Sequence, residues 1–354
     1  MQLGERIKSC RKRMGLSLRA LAEQVGVSAQ AISKYERNED VPTSRTLIRL
    51  SKALQVSVEY LLRPTTVHLS EPAYRHHRSK VSHAKKEILC AQVQDWIERY
   101  LTLEHLLGEL HEFTIPNISR KMQSPEDVEQ VAIDLRHHWD LGLNALPNLI
   151  ETLEERGIKV GLLPAVDHVD ALSLVANDTL PVIVVRDNLP GDRQRFSIAH
   201  ELAHLILEMP KEWSERQIEQ TANRFAGAFL VPKPVVQEEL GFQRRSLSLG
   251  ELYALKHKYG ISMQAWIYRA QEVGIISSEV VKRLFQLFRG RNWYRTEPGT
   301  PYPAETSTRM ERLALRALND GTISETRACE LLGKPLIKFT EDFLDQHEPI
   351  ALCD

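Results

Sequence analysis

The five residues HELAH, His200 to His204, constrain this chain more than any other part of its 354-residue sequence. They lie in RQRFSIAHELAHLILEM, where apolar residues occur on nearly every side, so the segment predicts a buried helix. A helix completes a turn in about 3.6 residues, which places His200 and His204 on one face. Two imidazoles and the carboxylate of Glu201 are costly to bury unless they are paired or bind a metal ion.

Two histidines at this spacing can grip one ion, and Glu201 beside them can accept a proton from an activated water. A catalytic zinc site also needs a third protein ligand. The extended pattern that supplies a third histidine is absent, because Leu207 and Pro210 occupy its Gly and His positions. The third ligand is therefore expected among the downstream carboxylates, which are Glu208, Glu212, Glu215 and Glu219.

Glu219 is favoured among these carboxylates by its position. It lies near the start of IEQTANRFAGAFLVP, a second predicted helix with an apolar stripe, which ends at Pro232. Asn223 follows one turn later on the same face as Glu219. Zn²⁺ is the expected ion for two imidazoles and one carboxylate, and Mn²⁺ is the alternative because it accepts the same ligands.

Three segments before the motif change to strand periodicity and are rich in Val, Ile and Leu: GIKVGLLP, ALSLVAN and LPVIVVRD. The third, at 180–187, is expected to bind an extended peptide by pairing at a sheet edge. Arg193 and Arg195 are expected to face solvent, and the sequence offers no clear group to stabilise an oxyanion.

Charge is divided unevenly along the chain. Residues 1–86 contain 17 Lys and Arg against 7 Asp and Glu, a net charge of +10, and the remainder carries −11, although the whole chain is −1. This segregation predicts a basic module joined to an acidic body. The module can bind nucleic acid, or the two charged parts can instead dock on each other.

The basic module reads as five short helices between residues 4 and 62. Ser17 and Ser28 are placed to cap the second and third helices, and Gly26 to end the second. The third helix turns Ala31, Ile32 and Tyr35 inward and leaves a polar outer face. A helix, a glycine turn and a second helix with a polar face form a helix-turn-helix arrangement.

Residues 16–62 closely resemble the phage-repressor and Cro type of helix-turn-helix domain, the XRE family. The resemblance implies base-facing positions at Ala29, Gln30, Ser33 and Lys34, and phosphate contacts from Arg19, Arg37 and Arg45. The implied partner is a double-stranded DNA operator, and the usual two-fold symmetry of operators implies a homodimer. A purely partner-docking role is the alternative for this domain.

RFSIAHELAHLIL followed by IEQTANRFAGAFLVP is similar to the ImmA/IrrE family of metallopeptidases, with the likeness extending over about 130–235. The resemblance implies that His200, His204 and Glu219 are zinc ligands, Glu201 the general base and Asn223 a helper. Members of that family cleave or inactivate helix-turn-helix repressors, and fusions with a repressor-like domain are paired with toxins. A protein substrate or a toxin partner is therefore implied.

The expected fold is multidomain. It comprises an all-α helix-turn-helix domain at 1–64, a linker and long amphipathic helix at 65–115, an α+β zincin-like metallopeptidase domain at 116–240 and a mainly helical accessory region at 241–354. The long helix either mediates dimerisation or packs as a spacer. We expect a DNA-binding regulator with a zinc endopeptidase acting on a regulatory protein. The alternatives are a non-catalytic autoregulatory antitoxin or repressor with a structural or vestigial metal site, and hydrolysis of a small non-peptide substrate.

The four cysteines are far apart and form no C-x-x-C pair, which excludes a thiolate zinc cluster and argues against a disulfide framework. No stretch approaches the roughly 18 apolar residues of a membrane span. The basic start of the chain has no apolar segment behind it. We therefore expect a cytoplasmic protein that is neither exported nor membrane-bound.

Overall fold

A computed structural model describes residues 3–63, 66–70, 83–164 and 169–343. The chain folds into two compact units. Of the described residues, 3–63, 66–69, 83–110 and 308–343 form the helical unit, and 70, 111–164 and 169–307 form the sheet unit. Within the predicted linker and long helix at 65–115, residue 65 and residues 71–82 lie outside the described residues. None of the helices in the described part is both long and apolar enough to cross a membrane.

The described residues form the following elements in chain order: α1 (Leu3–Arg13), α2 (Leu18–Val25), α3 (Ala29–Glu36), α4 (Ser44–Ala53), α5 (Val58–Leu62), α6 (His83–Leu107), a short 3₁₀ helix (Pro125–Asp127), α7 (Val128–His138), α8 (Leu149–Glu154), β1 (Lys159–Leu163), β2 (Ala171–Ala176), β3 (Leu180–Arg186), α9 (Gly191–Ile206), α10 (Glu215–Leu230), α11 (Lys233–Leu240), α12 (Leu249–Tyr259), α13 (Met263–Glu272), α14 (Ser278–Gly290), α15 (Arg309–Asn319), α16 (Glu325–Leu332) and α17 (Leu336–Phe343). The predicted order of a helical module, a small sheet with helices and a helical C-terminal region is confirmed.

Helices α1 to α5 form the predicted five-helix module. Ser17 and Ser28 accept hydrogen bonds from Ala20 and Ala31 as N-caps, and Gly26 ends α2 in the left-handed conformation at φ 72°. The core of the module consists of apolar side chains from all five helices: Ile7, Cys10, Leu21, Ala22, Val25, Ile32, Tyr35, Leu50, Leu54, Tyr60 and Leu61. The spacing of these apolar residues explains why the segment folds as the sequence predicts.

Helix α6 packs within the helical unit on two sides. Arg6 of α1 pairs with the buried Glu98 of α6, and Arg13 contacts Asp95 at 2.9 Å between Nη1 and Oδ1. Further along α6, Tyr100 and Leu103 join an apolar cluster with α15, α16 and α17. The predicted long amphipathic helix is thus packed along both of its faces.

The sheet of the second unit has the order β1-β3-β2. Strand β3 pairs in parallel with β1 and antiparallel with β2, so both of its edges are occupied. The prediction that LPVIVVRD offers a free sheet edge to a peptide is therefore wrong. Its apolar character reflects a central position in the sheet, whereas β1 and β2 are the outer strands among the described residues.

The accessory region predicted at 241–354 is divided between the two units. Helices α12 to α14 belong to the sheet unit, where Trp266 and Phe288 are fully buried in its core, and α15 to α17 belong to the helical unit. Arg269 of α13 is 1% exposed and bonds to Glu129 and to the carbonyl of Val231. Residues 241–307 thus complete the core around the motif helix.

Candidate metal centre

The two motif histidines lie side by side, as their spacing on α9 predicts. The Nε2 atoms of His200 and His204 are 3.2 Å apart. Helix α10 packs against α9 and brings Glu219 to the same point, with 3.4 Å from its Oε2 to His200 Nε2 and 3.7 Å from its Oε1 to His204 Nε2. The structure therefore brings together all three residues that the sequence identifies as metal ligands.

The separations of these three groups match the size of a metal ion. Ligands about 2.05 Å from a tetrahedral zinc ion lie about 3.3 Å from one another. The ligand atoms of His200, His204 and Glu219 all lie within 4.8 Å of each other, and no other such group of His, Cys, Asp or Glu occurs in the described part of the chain. Two imidazole nitrogens and a carboxylate oxygen fit a divalent ion of this kind.

Glu201 lies beside the ligand face, as predicted, and is only 6% exposed. The hydroxyl of Ser173 on β2 donates a hydrogen bond of 2.7 Å to Glu201 Oε2. Ser173 is not among the site residues predicted from the sequence. The available signal was one polar residue within the otherwise apolar strand ALSLVA, since a hydroxyl in a buried strand needs a partner.

Asn223 contacts the back of His200. Its Oδ1 lies 3.0 Å from His200 Nδ1, so the imidazole donates through Nδ1 and directs the lone pair of Nε2 towards the other ligands. Burial alone lowers the pKa of His200, but Glu219 and Glu201 outweigh it and hold that pKa above its usual value. Carboxylates that stabilise a proton at this point stabilise a bound cation in the same way.

A cleft of about 660 Å³ opens beside these residues. Its lining comes from β2, β3, α9, α10 and the residues before β2: Val169, Asp170, Ala171, Arg186, Arg193, Phe196, Ser197, His200, Glu201, Glu219 and Asn223. Three of the four residues of the candidate centre line it, and the exception is His204. The site is therefore accessible to a molecule much larger than water.

The two arginines near the motif occupy different environments. Arg193 is exposed as expected and bonds to Asp170. Arg195 is fully buried, against expectation, where it pairs with Glu305 and donates to the carbonyl of Leu146 at 3.0 Å. The composition of α9 does not distinguish the surroundings of Arg193 from those of Arg195. The difference arises from the packing of the 297–307 segment, whose Glu305 pairs with Arg195.

That segment holds the start of the motif helix. Glu305 accepts hydrogen bonds from the backbone N–H groups of Leu149 and Ile150 as well as from Arg195. Gly191 at the start of α9 donates to the carbonyl of Tyr302, and a Cβ at Gly191 would lie 1.9 Å from the carbonyl oxygen of Pro303. Only glycine permits this approach.

The predicted DNA-facing residues lie on the surface of the five-helix module. Gln30, Lys34 and Arg37 are exposed on or directly after α3, and Arg19 is exposed on α2. Ala29 and Ser33 are half-buried, and Arg37 pairs with Glu39 at 2.7 Å. The outer face of α3 is therefore polar and cationic, with small side chains between the longer ones.

Comparison with known proteins supports both modules. Residues 7–61 match a family described as "Helix-turn-helix", and residues 153–271 match the "IrrE N-terminal-like domain" family. Repressor protein C2 of Salmonella phage P22 is 49% identical over 61 residues, 17% of this chain and 28% of the repressor. A solved structure of that repressor with a synthetic operator covers 18% of this chain and 96% of the solved chain at 48% identity, with a TM-score of 0.18.

A Bacillus subtilis protein, the uncharacterized HTH-type transcriptional regulator YqaE, is 31% identical over 88 residues, which are 25% of this chain and 73% of that relative. The chain belongs to the helix-turn-helix transcriptional regulators. This regulator spans only 28% of the P22 repressor and 57% of another relative, YonR of Bacillus subtilis. The chain also carries the IrrE N-terminal-like domain of a peptidase family at residues 153–271. That domain is longer than the 88 residues over which YqaE matches.

Proposed function

We propose that this regulator binds operator DNA through α3 and that its sheet unit is a zinc-dependent endopeptidase that cleaves a regulatory protein. The observation that carries the peptidase proposal is the convergence of His200, His204 and Glu219 next to the buried Glu201, at the side of an open cleft. A purely structural zinc site is expected to be closed by four protein ligands, whereas three converge here within the described residues.

Each residue has a distinct task in this proposal. His200, His204 and Glu219 hold the ion, and Asn223 orients His200 through Nδ1. A bound Zn²⁺ would supply Lewis acidity towards the substrate carbonyl and the attacking water. Glu201 accepts the proton of that water on its carboxylate and passes it to the leaving amine, while the Ser173 hydroxyl fixes the orientation of the carboxylate.

An extended substrate is best accommodated along β2. This strand is at the edge of the sheet and carries Ser173, whose side chain reaches Glu201, and Ala171 lines the cleft. Val175 exchanges hydrogen bonds with Ser70, so its backbone groups point away from β3. The direction of the backbone N–H and C=O groups alternates along a strand with a period of two. The backbone groups of Ala171 and Ser173 therefore point to the same side as those of Val175, away from β3. A peptide there could add to the sheet.

The DNA proposal rests on the exposed face of α3. Gln30 can pair with an adenine and Lys34 with a guanine, whereas Arg19 and Arg37 suit phosphate contacts. Two relatives, from Salmonella phage P22 and Vibrio cholerae, are described as repressors. Two-fold symmetric operators would be bound by a homodimer of this chain. The cleaved protein is then expected to be a repressor or a toxin partner.

One experiment separates an enzyme from a non-catalytic autoregulator. The full chain and its Glu201→Gln variant are compared for zinc content, operator binding and the appearance of new N-termini in a proteome digest. We expect equal zinc and DNA binding in both proteins, and a loss of cleavage by about 100-fold or more in the variant. Equal zinc with no cleavage by the wild type would instead support the autoregulatory antitoxin.

A further inference from the structure

One end of the cleft is lined by two arginines and a single carboxylate. Arg186 ends β3 and Arg193 lies on the first turn of α9, and both contact Asp170. The two carboxylates that line the remainder of the cleft, Glu201 and Glu219, belong to the candidate metal centre. The arginine end therefore carries a net charge of +1 among the described lining residues.

The arginines are not saturated by Asp170. Asp170 Oδ2 accepts both contacts from Arg193, at 2.5 Å from Nη2 and 2.6 Å from Nε, and its Oδ1 lies 3.2 Å from Arg186 Nη2. Two guanidinium groups carry ten N–H donors, so three contacts leave most of them available. Arg186 Nε is buried and has no acceptor within the described part of the chain.

The arginine end lies at a defined distance from the metal centre. Arg193, Ser197 and His200 occupy one face of α9 because they are spaced four and three residues apart. Seven residues of helix correspond to about 10 Å along its axis. An extended peptide covers that distance with about three residues.

We propose that Arg186 and Arg193 form a specificity subsite for an Asp or Glu side chain, about three residues from the scissile bond of the peptide substrate. A carboxylate matches the planar, forked donors of guanidinium, and a neutral amide would leave the charge unpaired. The exposed Arg193 can turn between Asp170 and the substrate, while the less exposed Arg186 is held at the end of β3. This subsite rests on the peptidase function proposed above.

The test uses two matched random-sequence peptide libraries, one with amidated and one with free C-termini, zinc-loaded full-length protein and mass spectrometry of the products. We expect enrichment of Asp and Glu at one position close to the cut. Arg193→Gln and Arg186→Gln should each reduce the preference for Glu over Gln by about tenfold to a hundredfold. Arg193→Glu should shift it towards Lys and Arg, and Asp170→Asn should strengthen the acidic preference. The matched control is Arg245→Gln, an exposed arginine outside the cleft.

The outcomes distinguish this proposal from the one on which it depends. Cleavage by the wild type without acidic enrichment, or an enrichment that survives both arginine variants, overturns the subsite and leaves the peptidase intact. Cleavage confined to peptides with a free C-terminal carboxylate also overturns it, because the carboxylate bound would then be the terminal one. No cleavage of any peptide by zinc-loaded wild type overturns both proposals.

Discussion

Replacing Asn223 with alanine should weaken zinc binding without changing the three ligands. The amide oxygen of Asn223 lies 3.0 Å from His200 Nδ1 and holds the imidazole in the orientation that points Nε2 at His204 and Glu219. Loss of such a supporting hydrogen bond typically costs 10-fold to 100-fold in metal affinity, about 1.4 to 2.8 kcal/mol. Asn223 is exposed, so the fold should tolerate the change.

The affinity is measured by competition with a chromogenic zinc chelator at constant pH, which requires no knowledge of the substrate. Gln220→Ala, an exposed neighbour on the same helix, is the control and should bind zinc like the wild type. Asn223→Asp keeps an acceptor at His200 Nδ1 and should retain the affinity. If Asn223→Ala and Gln220→Ala bind zinc within about threefold of each other, the supporting role of Asn223 is refuted.

Three further predictions follow from other contacts. Ser173→Ala removes the donor to Glu201 and should lower the rate of cleavage by about tenfold to a hundredfold at unchanged zinc content, as judged by steady-state kinetics and metal analysis. Lys256→Met leaves the buried Asp192 and Glu297 without their cation and should lower the free energy of unfolding in urea by about 3 to 5 kcal/mol. Burial lowers the pKa of Lys256, but the carboxylates of Glu297 and Asp192 outweigh burial and raise that pKa above its usual value. The wild type should therefore keep the stability that these ion pairs contribute below about pH 10.4 and lose it as pH rises through the folded pKa. If the free energy of unfolding does not depend on pH above about 10.4 in either protein, this assignment is contradicted. Finally, operator affinity should fall steeply with salt, and Gln30→Ala should relax base preference without changing the salt slope, in a titration of binding against ionic strength.

The grouping of residues at the candidate metal centre was predictable because it depends mostly on spacing within single helices. The four-residue spacing of His200 and His204 places them together on any helix, and the carboxylate and amide of Glu219 and Asn223 recur one turn apart on the next helix. The caps at Ser17, Gly26 and Ser28 are local in the same sense. Each of these features depends on residues within one or two turns of a helix.

The features that the sequence did not reveal depend on contacts between distant segments. The order of strands decided that 180–187 is central, and no property of that segment distinguishes a central strand from a buried outer one. Ser173 meets Glu201 only because β2 lies next to α9. The burial of Arg195 requires Glu305, which is 110 residues away along the chain.

The helical unit is built from segments that lie far apart along the chain, and this has a consequence for its synthesis. Tyr100 and Leu103 on α6 are covered by α15 to α17, which the ribosome makes about 200 residues later. At a synthesis rate of about 5 to 20 residues per second, the apolar face of α6 stays exposed for roughly 10 to 40 seconds before α15 to α17 are made. During this interval the nascent chain already carries a complete five-helix module and, later, a complete sheet unit. The last helices to emerge therefore close a surface that a chaperone or a second nascent chain could otherwise occupy.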